Sequence, residues 1–147
     1  MIQCRQISMK EFSEIKELYR EVFTAPPWED DWSDDEQLSL YIEEIMCGKH
    51  PLHFGLYIDG KLEGIALGMI KHWCQGTEYY LDEFCIRTNQ QGKGLGTKFL
   101  HMIFDEIQSI GLCGIFLATD HDKPAFEFYR KFGFELQEKH VSFWKDV

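Results

Sequence analysis

The stretch QQGKGLGTKFL, residues 90–100, places glycines at alternate positions directly before an apolar pattern with helical spacing. That pattern consists of Phe99, Leu100, Ile103, Phe104 and Ile107. Residues without side chains leave backbone N–H groups accessible, and the N-terminus of a helix carries partial positive charge, so such a loop binds anions. The stretch therefore predicts a phosphate-binding loop that leads into a helix.

Two common phosphate-binding motifs differ from this loop in spacing. A P-loop has the pattern G-x-x-x-x-G-K-[ST], whereas here Thr97 precedes Lys98. A dinucleotide-binding loop has the pattern G-x-G-x-x-G, whereas the glycines here give G-x-G-x-G. Asp120 does end the next predicted strand, where a ribose-binding acid would be placed, but an antiparallel hairpin precedes the loop. Spacing and context together disfavour nucleoside triphosphates and dinucleotides.

The segments on both sides of the loop alternate between strand and helix patterns. Ser8 and Ser33 are each followed three residues later by glutamate, which predicts capping boxes at the start of the first two helices. Asp59-Gly60 predicts a two-residue hairpin turn. The last segment, FELQEKHVSFW at residues 134–144, can supply one or two final strands. The predicted order is β-α-α-β-β-β-α-β-α-β, an α/β fold whose mixed sheet carries helices on its faces.

Two motifs at a characteristic spacing carry a family resemblance. The loop has the pattern Q-x-x-G-x-G from Gln91, and Tyr129 begins a Y-x-x-x-G-F pattern downstream. Together with the strand LDEFCI at residues 81–86, they resemble the GCN5-related N-acetyltransferases, the GNAT superfamily, and locally most resemble the aminoglycoside 6′-N-acetyltransferases. The resemblance implies a single GNAT domain over residues 1–147, with a splayed, mostly antiparallel central sheet.

The resemblance also implies the acetyl donor. In this superfamily the loop and the following helix bind the pyrophosphate of acetyl-coenzyme A (acetyl-CoA), and the preceding strand holds the pantetheine arm. Where many members have asparagine, this chain has Asp122. No metal is expected. The residues implied to contact acetyl-CoA are Phe84, Cys85, Ile86, Gln91, Gly92, Lys93, Gly94, Leu95, Gly96, Thr97, Asp122 and Phe126.

Acetyl transfer to an amine sets the requirements for catalytic residues. An alkyl amine such as lysine has a pKa of about 10.4 and is protonated at neutral pH, so a base must remove a proton. Tyr129 stands at the family position whose hydroxyl protonates the leaving thiolate. For the base, the resemblance to the aminoglycoside 6′-N-acetyltransferases favours Asp82, and Glu83 is the alternative, because in many other members a carboxylate near that position acts through water. The two-residue period of a strand places these carboxylates on opposite faces, so we expect only one to face the acceptor.

An acidic segment with two tryptophans, PPWEDDWSDDE at residues 26–36, lies between the first two predicted helices. In the superfamily this connection covers the acceptor site. Carboxylates attract cations and tryptophan rings stack on them, so we expect a small cationic amine, such as an aminoglycoside or a polyamine. Alternatives are a protein or peptide N-acetyltransferase and a non-catalytic acyl-CoA-binding module. The residues expected to bind the acceptor are Trp28, Glu29, Asp30, Asp31 and Trp32.

Composition narrows the remaining function classes. Acidic residues number 25 and basic residues 15, and the formal net charge of −10 argues against a nucleic-acid partner. The five cysteines form no C-x-x-C pair, so neither a disulfide framework nor a zinc site is indicated. The sequence shows neither a signal-peptide pattern nor a long apolar run. We therefore expect a cytoplasmic protein without membrane association, as a monomer or homodimer.

Overall fold

The computed structural model describes residues 1–147 and contains five strands and four α-helices. These elements follow the predicted order as far as the last helix. The strands are β1 (Ile2–Gln6), β2 (Pro51–Ile58), β3 (Lys61–Trp73), β4 (Gly76–Ile86) and β5 (Ile115–Phe116). The helices are α1 (Phe12–Thr24), α2 (Asp35–Met46), α3 (Leu95–Ser109) and α4 (Pro124–Phe132). None of the helices combines the length and the apolar composition that a membrane crossing requires.

All strands belong to one sheet in the order β1-β2-β3-β4-β5. The first four strands pair antiparallel, and β4 pairs with β5 in parallel. This last pairing covers only Tyr79 with Ile115 and Tyr80 with Phe116. Beyond Tyr80, β4 continues to Ile86 without a partner on that side. The predicted splayed, mostly antiparallel sheet is therefore confirmed, and the splay opens a cleft between β4 and the segment after β5.

Helices cover both faces of the sheet and create two apolar clusters. The apolar stripes of α1 and α2 pack on one face, and that of α3 packs on the other. The first cluster includes Ile15, Leu18, Val22, Leu38, Ile42, Ile65, Leu67 and Cys85. The second includes Phe54, Leu56, Tyr79, Leu81, Ile86, Phe99, Ile103 and Ile107. Because β4 contributes to both clusters, its side chains link the α1–α2 layer to the α3 layer.

A β-bulge interrupts the side-chain alternation of β4 at Asp82. Leu67 of β3 is opposite Glu83, whereas the next residue, Gly68, is opposite Leu81, so Asp82 is the extra residue of β4. Before the bulge Leu81 packs into the α3-side cluster, and after it Cys85 packs into the α1–α2 cluster. An extra residue bends a strand and re-aims the side chains next to it. Asp82 and Glu83 both border one cavity beside this strand, as do Leu81 and Phe84, so the prediction that the two carboxylates face opposite sides stays a prediction.

Side-chain caps begin the first two helical segments, as predicted, but one cap is displaced. Ser8 and Glu11 form the predicted capping box, which encloses a short 3-10 turn that continues into α1. At α2 the cap is Asp34, which accepts a hydrogen bond from the Gln37 amide at 3.0 Å. The amide of Ser33 instead donates to the Asp31 carboxylate at 3.1 Å. The prediction of a Ser33 cap is therefore wrong by one residue.

The predicted final strand does not form. Residues 134–147 contain no strand or helix. Phe143 and Trp144 are 94% and 88% exposed, so the alternating apolar side chains of this segment are not buried against the sheet. A strand needs a neighbouring edge that runs alongside it, and β5, the adjacent edge, is only two residues long.

Candidate active site

The cleft between β4 and the segment after β5 contains a cavity of about 230 Å³. One wall is the unpaired half of β4, and the opposite wall is the chain that leaves β5. Helix α1 and the connection after it close one end, and α4 closes another. The lining residues are Tyr19, Phe23, Trp28, Asp30, Leu81, Asp82, Glu83, Phe84, Leu117, Ala118, Thr119, Asp120, Ala125 and Tyr129.

The glycine loop connects the end of β4 to α3 and has the geometry of an anion site. Gly92 and Gly94 have φ angles of 75° and 76°, which favour glycine, and a Cβ atom at either would meet nothing within 4 Å. The first hydrogen bond of α3 runs from the Lys98 amide to the Gly94 carbonyl at 3.1 Å. The amides of residues 95–97 therefore have no partner within the helix, and they lie at its positive end. Open space, free amides and the helix dipole all suit a diphosphate.

Two contacts fix the position of the loop relative to the rest of the fold. The Gln91 amide nitrogen donates to the Ile86 carbonyl at 2.9 Å, so the loop is tied to the end of β4. At Gly96 an added Cβ would lie 3.3 Å from the ring of Phe128, so α3 and α4 approach closely at this point. Lys93 lies outside these contacts and bonds the Gln90 side chain at 3.3 Å. The loop therefore connects the open edge of β4 to α4.

Glu83 is the most perturbed carboxylate of the cavity. Its Oε1 accepts a hydrogen bond from the Tyr41 hydroxyl of α2 and a longer one, at 3.3 Å, from the Tyr19 hydroxyl of α1. Burial raises the pKa of Glu83 from its ordinary value of 4.5 to about 7, although the two hydrogen bonds act to lower it. A group with a pKa near neutrality exchanges protons readily at physiological pH, as a general base must.

Three further carboxylates border the cavity. Asp82 lies next to Glu83 on the bulge, and burial raises the pKa of its carboxyl. Asp30 comes from the α1–α2 connection and Asp120 from the segment after β5. Burial raises the pKa of Asp30, the negative charge of Asp120 raises it further, and Lys123 opposes both. Mutual repulsion of this kind marks a site where a positive charge would be stabilised.

Tyr129 lies on α4 where the cavity meets the aromatic layer between α3 and α4. It is 9% exposed, and its ring makes edge contacts with Phe84, Phe128 and Phe134 at centroid distances of 6.4, 5.2 and 5.4 Å. Burial raises the pKa of Tyr129, and the negative charge of Glu83 raises it further. The hydroxyl therefore stays protonated at neutral pH and can act as a proton donor.

The sequence pattern of the Acetyltransferase (GNAT) family matches residues 12–134. The chain belongs to this family. The match covers α1, α2, the glycine loop and α4, so it includes the whole cavity just described. The resemblance drawn from the loop and the tyrosine motif is thereby confirmed, and at the level of the family so is the N-acetyltransferase class.

Two curated proteins are similar to this chain in sequence. Over 88 residues it is 32% identical to the spermine/spermidine N(1)-acetyltransferase of Bacillus subtilis (strain 168) and to a probable spermine N(1)-acetyltransferase of Bacillus subtilis subsp. natto. Each match covers 56% of this chain, and the matched part spans 58% of the length of these curated relatives.

Solved structures with the same fold include aminoglycoside acetyltransferases. AAC(6')-Iy in complex with a bisubstrate analogue has a TM-score of 0.75 at 16% identity, with 100% of this chain and 99% of that chain covered. An enzyme from an uncultured soil metagenomic sample in complex with sisomicin has a TM-score of 0.74 at 18% identity, with 99% and 96% covered. A predicted acetyltransferase from Clostridium acetobutylicum, solved with acetyl-CoA, has a TM-score of 0.74 at 15% identity, with 97% and 96% covered. These likenesses confirm the GNAT fold.

The GNAT cavity brings together part of the predicted donor site. Phe84 lines the cavity, whereas Cys85 is buried on the other face of β4 and Ile86 packs beneath α3. Phe126 on α4 lies outside the cavity and packs against His121 at 4.5 Å. Asp122 is exposed in the turn before α4. The roles implied for these residues stay predictions.

Only some residues of the predicted acceptor segment line the cavity. Trp28 and Asp30 line the cavity, whereas Glu29 and Asp31 are exposed outside it. Trp32 packs behind the cavity, stacked on Tyr41 at 5.3 Å, and its indole nitrogen is buried without a hydrogen-bond partner. The acidic segment therefore contributes one tryptophan and one carboxylate to the cavity.

Sequence reasoning assigned no site role to four residues of this region. No sequence motif singles out Tyr19 or Tyr41, yet both reach Glu83. Asp120 had been considered only for a ribose contact, and it borders the cavity. Lys123 donates to the Pro27 carbonyl at 3.1 Å and so joins the start of α4 to the acceptor segment. No local motif marks these residues, because they meet only through the packing of distant elements.

Proposed function

We propose that this chain transfers the acetyl group of acetyl-CoA to a primary amine of a small polycationic molecule. The observation that carries this proposal is the cavity between the splayed strands, which combines four carboxylates with a buried tyrosine. The carboxylates are Asp30, Asp82, Glu83 and Asp120. A cavity with this charge stabilises an ammonium group and provides bases to deprotonate it.

A linear polyamine is the favoured acceptor. The cavity volume of about 230 Å³ lies below the range of roughly 300–1,000 Å³ that holds a drug-sized ligand. A slender alkyl chain fits such a space, whereas the several rings of an aminoglycoside would remain outside it. Aromatic side chains of Tyr19, Phe23 and Trp28 line the same space and suit the methylene groups between charged nitrogens. The curated relatives that act on spermine and spermidine support the same choice.

The glycine loop and the open edge of β4 would hold the donor. The free amides of residues 95–97 and the open backbone at Gly92 and Gly94 suit the two phosphates. Beyond Tyr80 the backbone of β4 has no strand partner on the side of the cleft, so its alternate N–H and C=O groups are available to an extended pantetheine arm. Acetyl-CoA bound in this way supplies the thioester and its leaving thiol.

Glu83 is proposed as the base. Its Oε1 is occupied by tyrosine hydroxyls, and its second oxygen, Oε2, is free to accept a proton from the substrate ammonium. The free amine then attacks the thioester carbonyl, a C–N bond forms, and negative charge develops on the carbonyl oxygen. A backbone N–H at the open edge of β4 can stabilise that charge. Asp82, on the bulge beside Glu83, is the alternative base.

Tyr129 is proposed as the acid that completes the transfer. When the tetrahedral intermediate collapses, the C–S bond breaks and the thiolate takes the proton of the Tyr129 hydroxyl. The attacking nitrogen loses its second proton as the amide forms, and that proton restores the tyrosine. The ammonium proton taken by Glu83 goes to solvent, so the products are the acetamide, the free thiol of coenzyme A and one proton.

An acceptor screen tests the proposed function. Release of coenzyme A thiol would be followed with spermidine, spermine, sisomicin and a peptide with a free N-terminus, and coenzyme A binding would be measured by calorimetry. We expect binding of the coenzyme and the highest kcat/KM with the linear polyamines. Turnover of the peptide alone would favour a protein or peptide acetyltransferase, and coenzyme binding without turnover on any amine would favour an acyl-CoA-binding module. Absence of coenzyme binding would overturn the proposal altogether.

A further inference from the structure

Two tyrosine hydroxyls from different helices meet on one oxygen of Glu83. Tyr41 of α2 and Tyr19 of α1 both donate to Oε1, and the structure contains no hydrogen bond from the chain to Oε2. Glu83 itself lies on β4, so this contact joins three elements that are distant in sequence. The arrangement distinguishes the two oxygens of the carboxylate, since one is engaged twice and the other is left free.

An aromatic cluster holds the two hydroxyls in place. The Tyr19 ring is 3% exposed and lies 4.5 Å from the ring of Phe23. Tyr41 is 5.8 Å from Tyr19 and stacks on Trp32 at 5.3 Å. Packed rings of this kind have little rotational freedom, so their hydroxyls point in fixed directions. The donors are therefore pre-organised before any substrate enters.

From this geometry we infer that Tyr41 and Tyr19 are positioning residues for the base, and that they hold Glu83 with Oε2 directed to the acceptor amine. This inference rests on the proposed function, in which Glu83 takes the proton. The tyrosines themselves do not react with substrate. They fix the rotamer of the carboxylate and donate hydrogen bonds that favour its charged form.

The titration of Glu83 reflects several neighbours. Burial and the carboxylates of Asp82 and Asp30 raise its pKa, whereas the hydroxyls of Tyr41 and Tyr19 lower it. Burial and the charge of Glu83 raise the pKa of both tyrosines, so their hydroxyls stay protonated as donors. The other groups facing Glu83 are Tyr129 of α4, whose hydroxyl is protonated, and Cys85, whose thiol is kept neutral by burial. Because Tyr129 and Cys85 carry no charge, the hydrogen bonds from Tyr41 and Tyr19 are what offset the free-energy cost of burying the negative charge of Glu83.

Replacing each tyrosine by phenylalanine removes the hydroxyl and keeps the ring, so Tyr41→Phe, Tyr19→Phe and the double variant test the inference. The pH dependence of kcat/KM would be measured with spermidine from pH 5.5 to 9, with Tyr57→Phe as the control because Tyr57 is buried on β2 beside Arg5. Hydrogen bonds lower a carboxylate pKa, so their loss raises it. We expect the acidic limb of the profile to move up by about one pH unit in Tyr41→Phe, and further in the double variant.

The same series separates this inference from the proposed base. At pH 6 the rate of Tyr41→Phe should fall close to tenfold, whereas above pH 8.5 it should approach that of the wild type. Glu83→Gln should lose the acidic limb. Suppose that Glu83→Gln loses the acidic limb, and that the limb of the double tyrosine variant has the same midpoint as that of the wild type. The positioning role is then wrong, and the assignment of Glu83 as the base is retained. If Glu83→Gln retains the limb, the base assignment fails and the positioning role fails with it.

A direct titration provides a readout that does not depend on turnover. Carbon-13 NMR of the glutamate side-chain carboxyls, assigned by comparison with Glu83→Gln, reports the pKa of Glu83 in the wild type and in each folded variant. We expect the Glu83 resonance to titrate near pH 7 in the wild type and at higher pH in Tyr41→Phe and Tyr19→Phe. An unchanged titration in both folded variants would overturn the inference. If a variant does not fold, the other single variant still decides the question.

Discussion

Gly96, in the first turn of α3, lies against the ring of Phe128 on α4, and a methyl group added at this position would be 3.3 Å from two carbons of that ring. Tyr129 follows Phe128 on the same helix, and the glycine loop ends at the same turn of α3. The contact therefore links the predicted diphosphate site to the proposed catalytic acid. A close approach of two helices of this kind requires the absence of a side chain at the point of contact.

Gly96→Ala should destabilise the protein and weaken coenzyme binding. The added methyl group would push α3 from α4, because Phe128 is held between Phe84 and Tyr129. Overpacking of this size costs about 1–3 kcal/mol. Urea unfolding and calorimetry with coenzyme A would measure the two effects. Gly114→Ala is the control, since a Cβ at Gly114 meets nothing within 4 Å and its φ is not positive. Equal stability of the two variants would contradict this account of Gly96.

Tyr129→Phe should reduce kcat while it leaves coenzyme affinity unchanged. The ring keeps its packing against Phe84 and Phe134, and only the proton donor is lost. A general acid contributes about 10²-fold or more to a rate, so we expect a loss of kcat on the order of 100-fold. Steady-state kinetics would give kcat, and calorimetry the coenzyme affinity, with Tyr57→Phe as the matched control. A fully active variant would show that another group protonates the thiolate.

The elements of the fold could be predicted largely from local patterns. The capping box at Ser8 and the hairpin turn at Asp59-Gly60 both act within a few residues, and both form as expected. The final strand could not be predicted in this way. Its formation depends on an adjacent sheet edge, and the sequence of residues 134–144 carries no information about how short β5 would be.

The candidate site was predictable on the donor side and much less so on the acceptor side. The glycine loop is one continuous stretch, so its geometry follows from its own residues. The environment of Glu83 depends on the bulge at Asp82 and on hydroxyls that arrive from α1 and α2. A one-residue bulge reverses the direction of the side chains that follow it, and an alternating pattern in the sequence does not reveal it.

Arg87→Met should destabilise the fold strongly through a buried carboxylate. The Arg87 guanidinium bonds Glu63 at 2.5 Å, and it also bonds Glu21 of α1. The Glu63 side chain is only 5% exposed, so loss of Arg87 leaves a buried charge with only the more distant, exposed Lys61 as a partner. Such a loss costs roughly 3–5 kcal/mol. Lys61→Met is the control, because Lys61 is 64% exposed and 3.6 Å from Glu63. Denaturant unfolding should separate the two variants clearly, and similar values would argue against this role of Arg87.

Glu83→Gln should change how stability depends on pH. The folded-state pKa of Glu83 is raised from 4.5 to about 7, so between these values the folded state binds the proton more tightly than the unfolded state. Wild-type stability from this group therefore falls as the pH rises from about 4.5 to 7, and glutamine removes that slope. Urea unfolding at several pH values would compare the wild type with Glu83→Gln and with Glu138→Gln, a control at an exposed position. A wild-type slope equal to that of Glu83→Gln would show that Glu83 titrates normally.

Asp30→Asn should weaken binding of polycationic acceptors without a change in the chemical step. Asp30 borders the cavity with Asp120, and their mutual repulsion is relieved when an ammonium group lies between them. An exposed ion pair contributes modestly, so we expect KM for spermidine to rise roughly twofold to fivefold while kcat stays constant. Salt screens the attraction between the Asp30 carboxylate and the acceptor. It should therefore raise KM more in the wild type than in Asp30→Asn, which lacks this carboxylate. Asp31→Asn is the matched control, because Asp31 is one residue away and outside the cavity. An equal rise of KM in the two variants would mean that the acidic segment acts through its overall charge. A fall in kcat in Asp30→Asn alone would assign Asp30 a part in the reaction itself.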